Sequence, residues 1–458
     1  MPRLRPASAA RLLRALPLLA LAACAAPSGP DTSERFRAAT AAAIPLPAFD
    51  TKQPFPPARS NVEMAHDILE LGFFLESGRE IAQFSRFERP VRVALAGQVP
   101  PGAGVETDRL LARMRAEAGL DITRVPDRDA EVIVEFLPGR QMRALVPLAA
   151  CFVVPNVSSF AEFRANPRAQ PLDWAQVVER TQVAVFIPSD APPQEVRDCL
   201  HEEIAQAVGP LNDLFRLPDT VFNDDNFQTS LTGFDMLVLR AWHAPELRVG
   251  MSRDEVAARL PAILRRLNPR GERIAPPARL AEPSPREWVD AVEAALGAAS
   301  SASERRRAAA RALTIANAQG WTGPRLAFSL FLITRVAPPD AGETALAALL
   351  QAQRIYADMP GGEVHAAHMD LHVATQALGA GQLDLAIALT ERALEPAQRT
   401  RNAALAATLK VVQAEALARG GRTTEAARLR DAAAPLALWG FGRPDALEAR
   451  ISEVAELR

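Results

Sequence analysis

The chain has 458 residues, a formal net charge of −2 and a pI near 6.4, with 48% hydrophobic and 23% charged residues. That length predicts two domains, or one domain and a helical array, with enough apolar content for a sizeable core. The charge balance excludes a nucleic-acid footprint, which needs a basic face and a high pI. Lys52 and Lys410 are the only lysines, an arginine bias that goes with GC-rich coding rather than with a function.

Residues 1–16 carry Arg3, Arg5, Arg11 and Arg14 and no acid, and "ALPLLALAAC" follows as a short apolar run ending in small residues. This is the layout of a secretory signal, too short to cross a bilayer as a mature helix. Leu21-Ala22-Ala23-Cys24 resembles the bacterial lipobox. The resemblance implies that residues 1–23 are removed and that the Cys24 thiol is lipidated. The competing reading is an ordinary signal with a cysteine at its cleavage site. Ala25 in place of Asp favours the outer membrane by the sorting tendency of such lipoproteins. Loss of the four arginines takes the net charge to about −6. Residues 24–60 are small, polar and proline-punctuated, as a tether requires. Cys151 and Cys199 then remain as an even pair in an oxidising compartment. A disulfide would close a loop of roughly 48 residues and contribute about 4 kcal/mol in the chain-entropy model; two buried free thiols are the alternative. No C-x-x-C occurs, so thiolate zinc and dithiol redox chemistry are not expected.

The spacing of apolar residues predicts a helix over 61–77, a strand over 91–97 and a helix over 107–119 stopped by Gly119. Strands are expected over 130–139, 148–155 and 181–190, then a long helix over 192–209. Residues 61–267 thus read as an α+β domain with a mixed sheet and one long motif helix. The proline-bearing stretch 268–285 reads as a linker. Residues 286–458 read as all-α helical repeats: Gly342, Gly381 and Gly421 recur at spacings of 39 and 40, each followed five residues on by alanine. This resembles tetratricopeptide-type hairpins, although forty exceeds their usual repeat of about 34. A non-repetitive bundle is the alternative.

The motif helix carries "CLHEEIAQAVGPLND", residues 199–213. A metzincin metallopeptidase has H-E-x-x-H-x-x-G-x-x-H, in which histidines hold zinc and the glutamate activates water. Read from His201 the pattern fails. Read one residue on, Glu202, Glu203, Gln206, Gly209 and Asn212 occupy the His, Glu, His, Gly and His positions. "TVFND" resembles a Met-turn with Phe222 in place of Met, and "LTGFDMLVLRAWHAP" resembles the closing metzincin segment, with Asp235. "AEVIVEF" is similar to the metzincin strand that lines the substrate cleft. More closely still, 61–267 resembles a proteobacterial lipoprotein family whose domain has no assigned function. The matching residues are Cys199, Glu202, Glu203, Gln206, Gly209, Asn212, Asp213, Phe222, Asn223, Asp224, Asp225, Leu231, Thr232 and Asp235.

The resemblance implies a worn metallopeptidase site without catalytic zinc. Glu202 and Gln206, at i and i+4, can converge with Asn212 or Asp213 into an oxygen-rich set suited to Ca²⁺, Mg²⁺ or Mn²⁺ rather than Zn²⁺. His201 lies about 100° around the helix from Glu202 and does not join them. Glu203 is the candidate general base, and it needs a metal or a raised pKa to act. His365, His368 and His372 cluster on one helix face; His368 and His372 have chelating spacing, but a solvated repeat face is the expected reading. In "FNDD", Asp224 and Asp225 are either metal ligands or part of an Asx-type turn, the latter expected. The function expected is that of a lipid-anchored envelope scaffold facing the periplasm, with no nucleic-acid partner, whose repeats recruit a protein. A periplasmic metal-dependent hydrolase using Glu203 is the alternative. Cys24→Ala is expected to release the protein from membranes as an unprocessed or soluble form, seen by fractionation; membrane association that survives the change contradicts the lipobox.

Overall fold

The computed structural model describes residues 57–456 except Arg128, Leu148, Ala298, Ala299, Pro339, Asp340 and Pro444. The signal, Cys24 and residues 25–56 of the tether lie outside the described residues. Helix α1, Asn61–Phe73, begins at Ser60 in a capping box: Glu63 N–H donates to Ser60 Oγ, and Ser60 N–H donates to Glu63 Oε2 at 2.9 Å. It stops four residues before the expected end. Gly72 lies against Trp242 so closely that a Cβ would stand 2.3 Å from the ring. The chain then turns back at Gly78, φ +77°, and Phe74 bridges to Glu80. Glu76 therefore sits on a turn instead of a helix face.

Five strands form one mixed sheet in the order β2-β1-β3-β5-β4: β1 Val91–Gly97, β2 Ile122–Arg124, β3 Val132–Leu137, β4 Phe152–Pro155 and β5 Val183–Pro188. All neighbours run parallel except β4, which pairs antiparallel with β5. β2 carries no sequence signal because it is three residues long with one buried side chain. The inner strands are near-continuous apolar runs, as a sheet covered on both faces demands. Val132, Val134, Phe136, Val183, Val185 and Ile187 enter the main core. Leu137, Ala184 and Phe186 meet Met142, Phe160 and Phe163 on the opposite face. The segment "AEVIVEF", expected to line a cleft, supplies β3 between β1 and β5; the antiparallel edge is β4. The parallel strands need crossovers, and helix α2, Ala103–Arg113, supplies the first. Short helices α3, Gly139–Arg143, and α4, Phe160–Ala165, cover the far face, and the motif helix α5, Pro193–Val208, follows β5. Helices α6, Gly233–Trp242, and α7, Arg253–Leu267, complete the main core.

Beyond residue 267 the described chain is helical: α8 Arg286–Leu296, α9 Ala302–Ala318, α10 Pro324–Val336, α11 Gly342–Ala357, α12 Glu363–Gly379, α13 Leu383–Arg399, α14 Ala403–Arg419, α15 Thr423–Phe441 and α16 Ala446–Ala455. They stack as hairpins, helical-repeat-like. Gly381 and Gly421 play one role, holding positive φ (+73° and +81°) in the turns before α13 and α15. Gly342 does not: it opens α11, and Ala341 stands at the turn position with φ −102°. Residues 268–285 form no helix beyond a short 3-10 turn, yet they are pinned. Asn61 Nδ2 donates to Asn268 O at 3.2 Å and to Glu272 Oε2 at 2.9 Å, and Arg325 donates to Glu282 O at 2.9 Å.

The helices have their own core, and it is closed by two side chains from the α+β part, Phe215 and Phe227. Phe215 meets Trp288 of α8 edge-on at 5.3 Å and Phe328 of α10 at 5.5 Å. Phe227 packs on Phe331 at 5.5 Å and on His365 and His368 of α12, both at 4.7 Å. Further on, Gln194 of α5 bonds Asn402 Oδ1 at 3.0 Å, and Arg197 donates to Arg401 O at 2.8 Å while lying over Trp439. Helices α8, α10 and α12, and the end of α15, thus meet the α+β part. Phe227→Ala is expected to cost about 3–5 kcal/mol, the usual range for deleting a buried phenylalanine. Denaturant unfolding of the full chain checks it; a loss below about 1 kcal/mol would mean that the two parts do not depend on this contact.

Candidate functional site

Proline at the first turn starts α5 without needing an N–H partner, and the helix is buried on nearly every side as a core helix is. The Cys151–Cys199 disulfide, Cα–Cα 6.0 Å, ties it to the start of β4. Its C-terminal carbonyls are capped by basic side chains. Arg180 donates to Gln206 O at 2.7 Å and Ala207 O at 2.9 Å, and His243 Nε2 bonds Val208 O at 2.7 Å. Burial lowers Arg180 to about 9 and His243 to about 4. At Gly209 a Cβ would stand 2.6 Å from Leu239 and 2.7 Å from Ala205 O. Only glycine lets the chain leave the helix there and run under α1.

Past Gly209 the chain is fastened to α1. Asn212 N–H donates to Leu71 O at 3.0 Å and its side chain to Glu70 O at 3.0 Å. Arg216 pairs with Asp67 at 2.5 Å and with Glu70, and Arg59 joins Asp67 to Asp219. These bonds aim Asp213 and, from the next turn, Asp224 at the end of α5. Five carboxyl groups meet there: Glu76 from the 74–80 turn, Glu202 and Glu203 from α5, Asp213 and Asp224. Ligand oxygens of Glu76, Asp213 and Asp224 all lie within 4.8 Å of one another, the only such group of His, Cys, Asp and Glu among the described residues. Gln206 Nε2 donates to Asp213 Oδ2 at 3.2 Å. Asp213 Oδ1 and Glu203 Oε2 are buried with no hydrogen-bond partner among the described residues, and Glu203 is only 4% exposed.

Crowding carboxyls where water is scarce disfavours their ionised forms. Burial, then the Asp224 and Glu76 charges, pushes Glu202 up to about 8. Burial and the neighbouring Glu76 take Asp224 to about 7. Burial followed by the surrounding carboxylates holds Glu203 and Asp213 well above the usual range. At neutral pH such a cluster holds either protons or a cation. All its donors are oxygens, which suits a hard divalent ion and not zinc.

Of the metal candidates read from the sequence, Asp213 belongs to the group and Glu202 borders it. Gln206 turns its amide nitrogen to Asp213 and so positions a ligand instead of ligating. Asn212 faces the α1 carbonyls. His201 lies apart, its Nδ1 accepting from Leu231 N–H at 3.0 Å, and burial holds its pKa well down. Phe222 is a core side chain. Asn223 and Asp225 make Asx turns, Asp225 N–H to Asn223 Oδ1 and Phe227 N–H to Asp225 Oδ1, both 3.1 Å; Asp224 alone of that run faces the carboxyls. Asp235 and Thr232 form the capping box of α6, and Asp235 Oδ1 also accepts from Thr220 at 2.5 Å. The histidine cluster is not a solvated face. His365 is fully buried and bonds Asp225 Oδ2 at 2.8 Å, His368 packs on Phe227 and His372 on Phe331 at 5.7 Å. Glu76 was not found from the sequence, because a glutamate inside an apparent helix 126 residues from Glu202 carries no local signal.

One family model matches this region, described as "Protein of unknown function (DUF2927)", over residues 61–262. The chain carries a DUF2927 domain. Comparison with curated proteins and with solved structures gives no match. All five carboxyl groups lie inside the DUF2927 domain, whereas the arginine beside them, Arg286, comes from α8 outside it. Arg286 Nη1 donates to Glu76 O at 2.9 Å while its other nitrogens pair with Asp290 and Glu293, both at 2.7 Å.

Carboxyls raised above their unfolded values near 4 bind more protons folded than unfolded. Their contribution to stability is therefore full below about pH 4 and is lost as pH rises through about 7 and 8, the values of Asp224 and Glu202. With divalent cations chelated, the melting temperature of the full chain is expected to fall between about pH 5 and pH 8, and Glu203→Gln to flatten that fall. Parallel pH profiles for the two proteins would contradict the cluster as its source.

Proposed function

We propose that this protein is a lipid-anchored component of the bacterial cell envelope, facing the periplasm at the outer membrane. In this reading its DUF2927 domain is a metzincin-like fold that binds a ligand without cleaving it, and its TPR-like array supports that domain and meets a protein partner. The observation that carries the reading is the use made of the motif residues. Gln206 and Asn212, at the second and third histidine positions, donate to Asp213 and to the Glu70 carbonyl. Glu203, at the base position, is almost wholly enclosed. A general base must lie within hydrogen-bond reach of the proton it removes, and the enclosure of Glu203 supports a binding role over a cleaving one.

Helices α8, α10 and α12 hold the DUF2927 domain, so a partner would meet α9, α11 and α13. Leu350 on α11 and Leu385 on α13 are 40% and 44% exposed there, which supports this side. Membrane attachment rests on the lipobox-like residues 21–24; no helix among the described residues is long and apolar enough to cross a membrane. The carboxyl cluster keeps one other reading in view, a metal-dependent hydrolase with Glu203 as base. The full chain, incubated with a peptide library and Zn²⁺, Mn²⁺ or Ca²⁺, is expected to leave the peptides intact by mass spectrometry. Metal-dependent cleavage that disappears in Glu203→Gln would replace the binding role with the hydrolase.

A further inference from the structure

We propose that the DUF2927 domain contains a calcium site, with Glu76, Asp213 and Asp224 as ligands and Glu202 and Glu203 completing its negative shell. Two independent observations point to it. The first is convergence: the 74–80 turn and the distant 210–231 segment bring ligand oxygens of three carboxylates within 4.8 Å of one another. The second is an unmet need. Glu203 is 96% enclosed, it faces Glu202, Glu76 and Asp224, and its Oε2 has no partner; the buried Asp213 Oδ1 has none either.

No lysine or arginine among the described residues forms an ion pair with any of the five. Arg286, the nearest, gives its nitrogens to Asp290, Glu293 and the Glu76 carbonyl. Elsewhere in this molecule buried carboxylates do have arginine partners, as Asp67 and Glu70 have Arg216. A buried anion without a counter-charge is costly, and Glu203 is one, standing among the half-buried Glu202, Asp213 and Asp224.

The chemistry selects the ion. The group contains no histidine or cysteine, which sets zinc aside. Calcium takes six to eight oxygens in a flexible geometry, which suits carboxylates gathered from separate segments, whereas magnesium demands a near-ideal octahedron and keeps most of its waters. Glu76, on an exposed turn, gives the ion a way in and leaves room for water ligands, and the Gln206 amide holds Asp213 in place. Bound there, the ion would join the 74–80 turn, α5 and the 210–231 segment. The site does not depend on the scaffold reading, since its readout is binding.

The test uses the full chain purified in detergent and stripped with EDTA. Equilibrium dialysis against CaCl₂ is expected to load about one calcium per chain, and saturating calcium to raise the melting temperature by roughly 5 °C. Asp213→Asn and Asp224→Asn are expected to lose at least tenfold in calcium affinity, yet in EDTA to melt as high as the wild type or higher, because each removes one repelling charge. A merely structural carboxylate would instead lower the melting temperature with or without calcium. No calcium retained by the wild type overturns the proposal, even where the variants do not fold. An equal thermal response in the variants, or an equal response of the wild type to MgCl₂, also overturns it.

Discussion

A stretch of about twenty residues without helix or strand persists in a folded interior only if side chains satisfy its backbone. Residues 210–231 are such a stretch, and its fastenings are specific. Leu71 O receives the Asn212 N–H, Leu217 O receives the Asn223 amide, Leu214 N–H reaches Phe222 O, and His201 receives the Leu231 N–H. Asp235 holds Thr220 and Val221 N–H from the first turn of α6. With so many anchors the segment has one conformation available, and its side chains can be directed both ways. Asp213 and Asp224 face the end of α5; Phe215 and Phe227 face the helices.

The same fastening explains why the α+β part and the helices share contacts that neither could supply alone. The helical core is completed by Phe215 and Phe227, and the acidic cluster is bordered by Arg286 from α8. The inner helices of a repeat array usually offer a concave binding surface. Here that side is occupied from within the chain. Arg216, buried between Asp67 and Glu70, adds orientation more than net stability, because removing two charges from water offsets most of their attraction. Its value lies in fixing the 213–219 turn against α1.

The carboxyl cluster runs against this economy. Other buried ionisable groups have partners: Asp67 and Glu70 have Arg216, Arg180 has the carbonyls at the end of α5, and Asp235 has the Thr220 hydroxyl and two backbone N–H groups. Places where a chain breaks its own local rules are where function is expected. The positions that make a metallopeptidase in the resembling family are occupied by Glu202, Gln206 and Asn212, and two of those three serve as hydrogen-bond donors to protein. Glu202, the third, borders the oxygens of Glu76, Asp213 and Asp224.

Local signals were legible in the sequence. Apolar runs with β-branched residues marked β1, β3, β4 and β5, and the motif in residues 199–213 marked α5. The reading of Asp224 and Asp225 as turn residues holds for Asp225 and fails for Asp224, which faces the carboxyls; the displacement of His201 from Glu202 follows from short-range helix geometry. The end of α1 was not legible, because it depends on Trp242 filling the space beside Gly72 from 170 residues away. Nor was the fate of His365, whose burial is decided by Asp225 and Phe227 from another part of the chain. Glu76 joins Asp213 and Asp224 for the same reason. Spacing along a chain determines which residues share a face over a few turns of helix or strand. Which faces meet, and therefore which charges must be neutralised together, is decided only when distant segments pack.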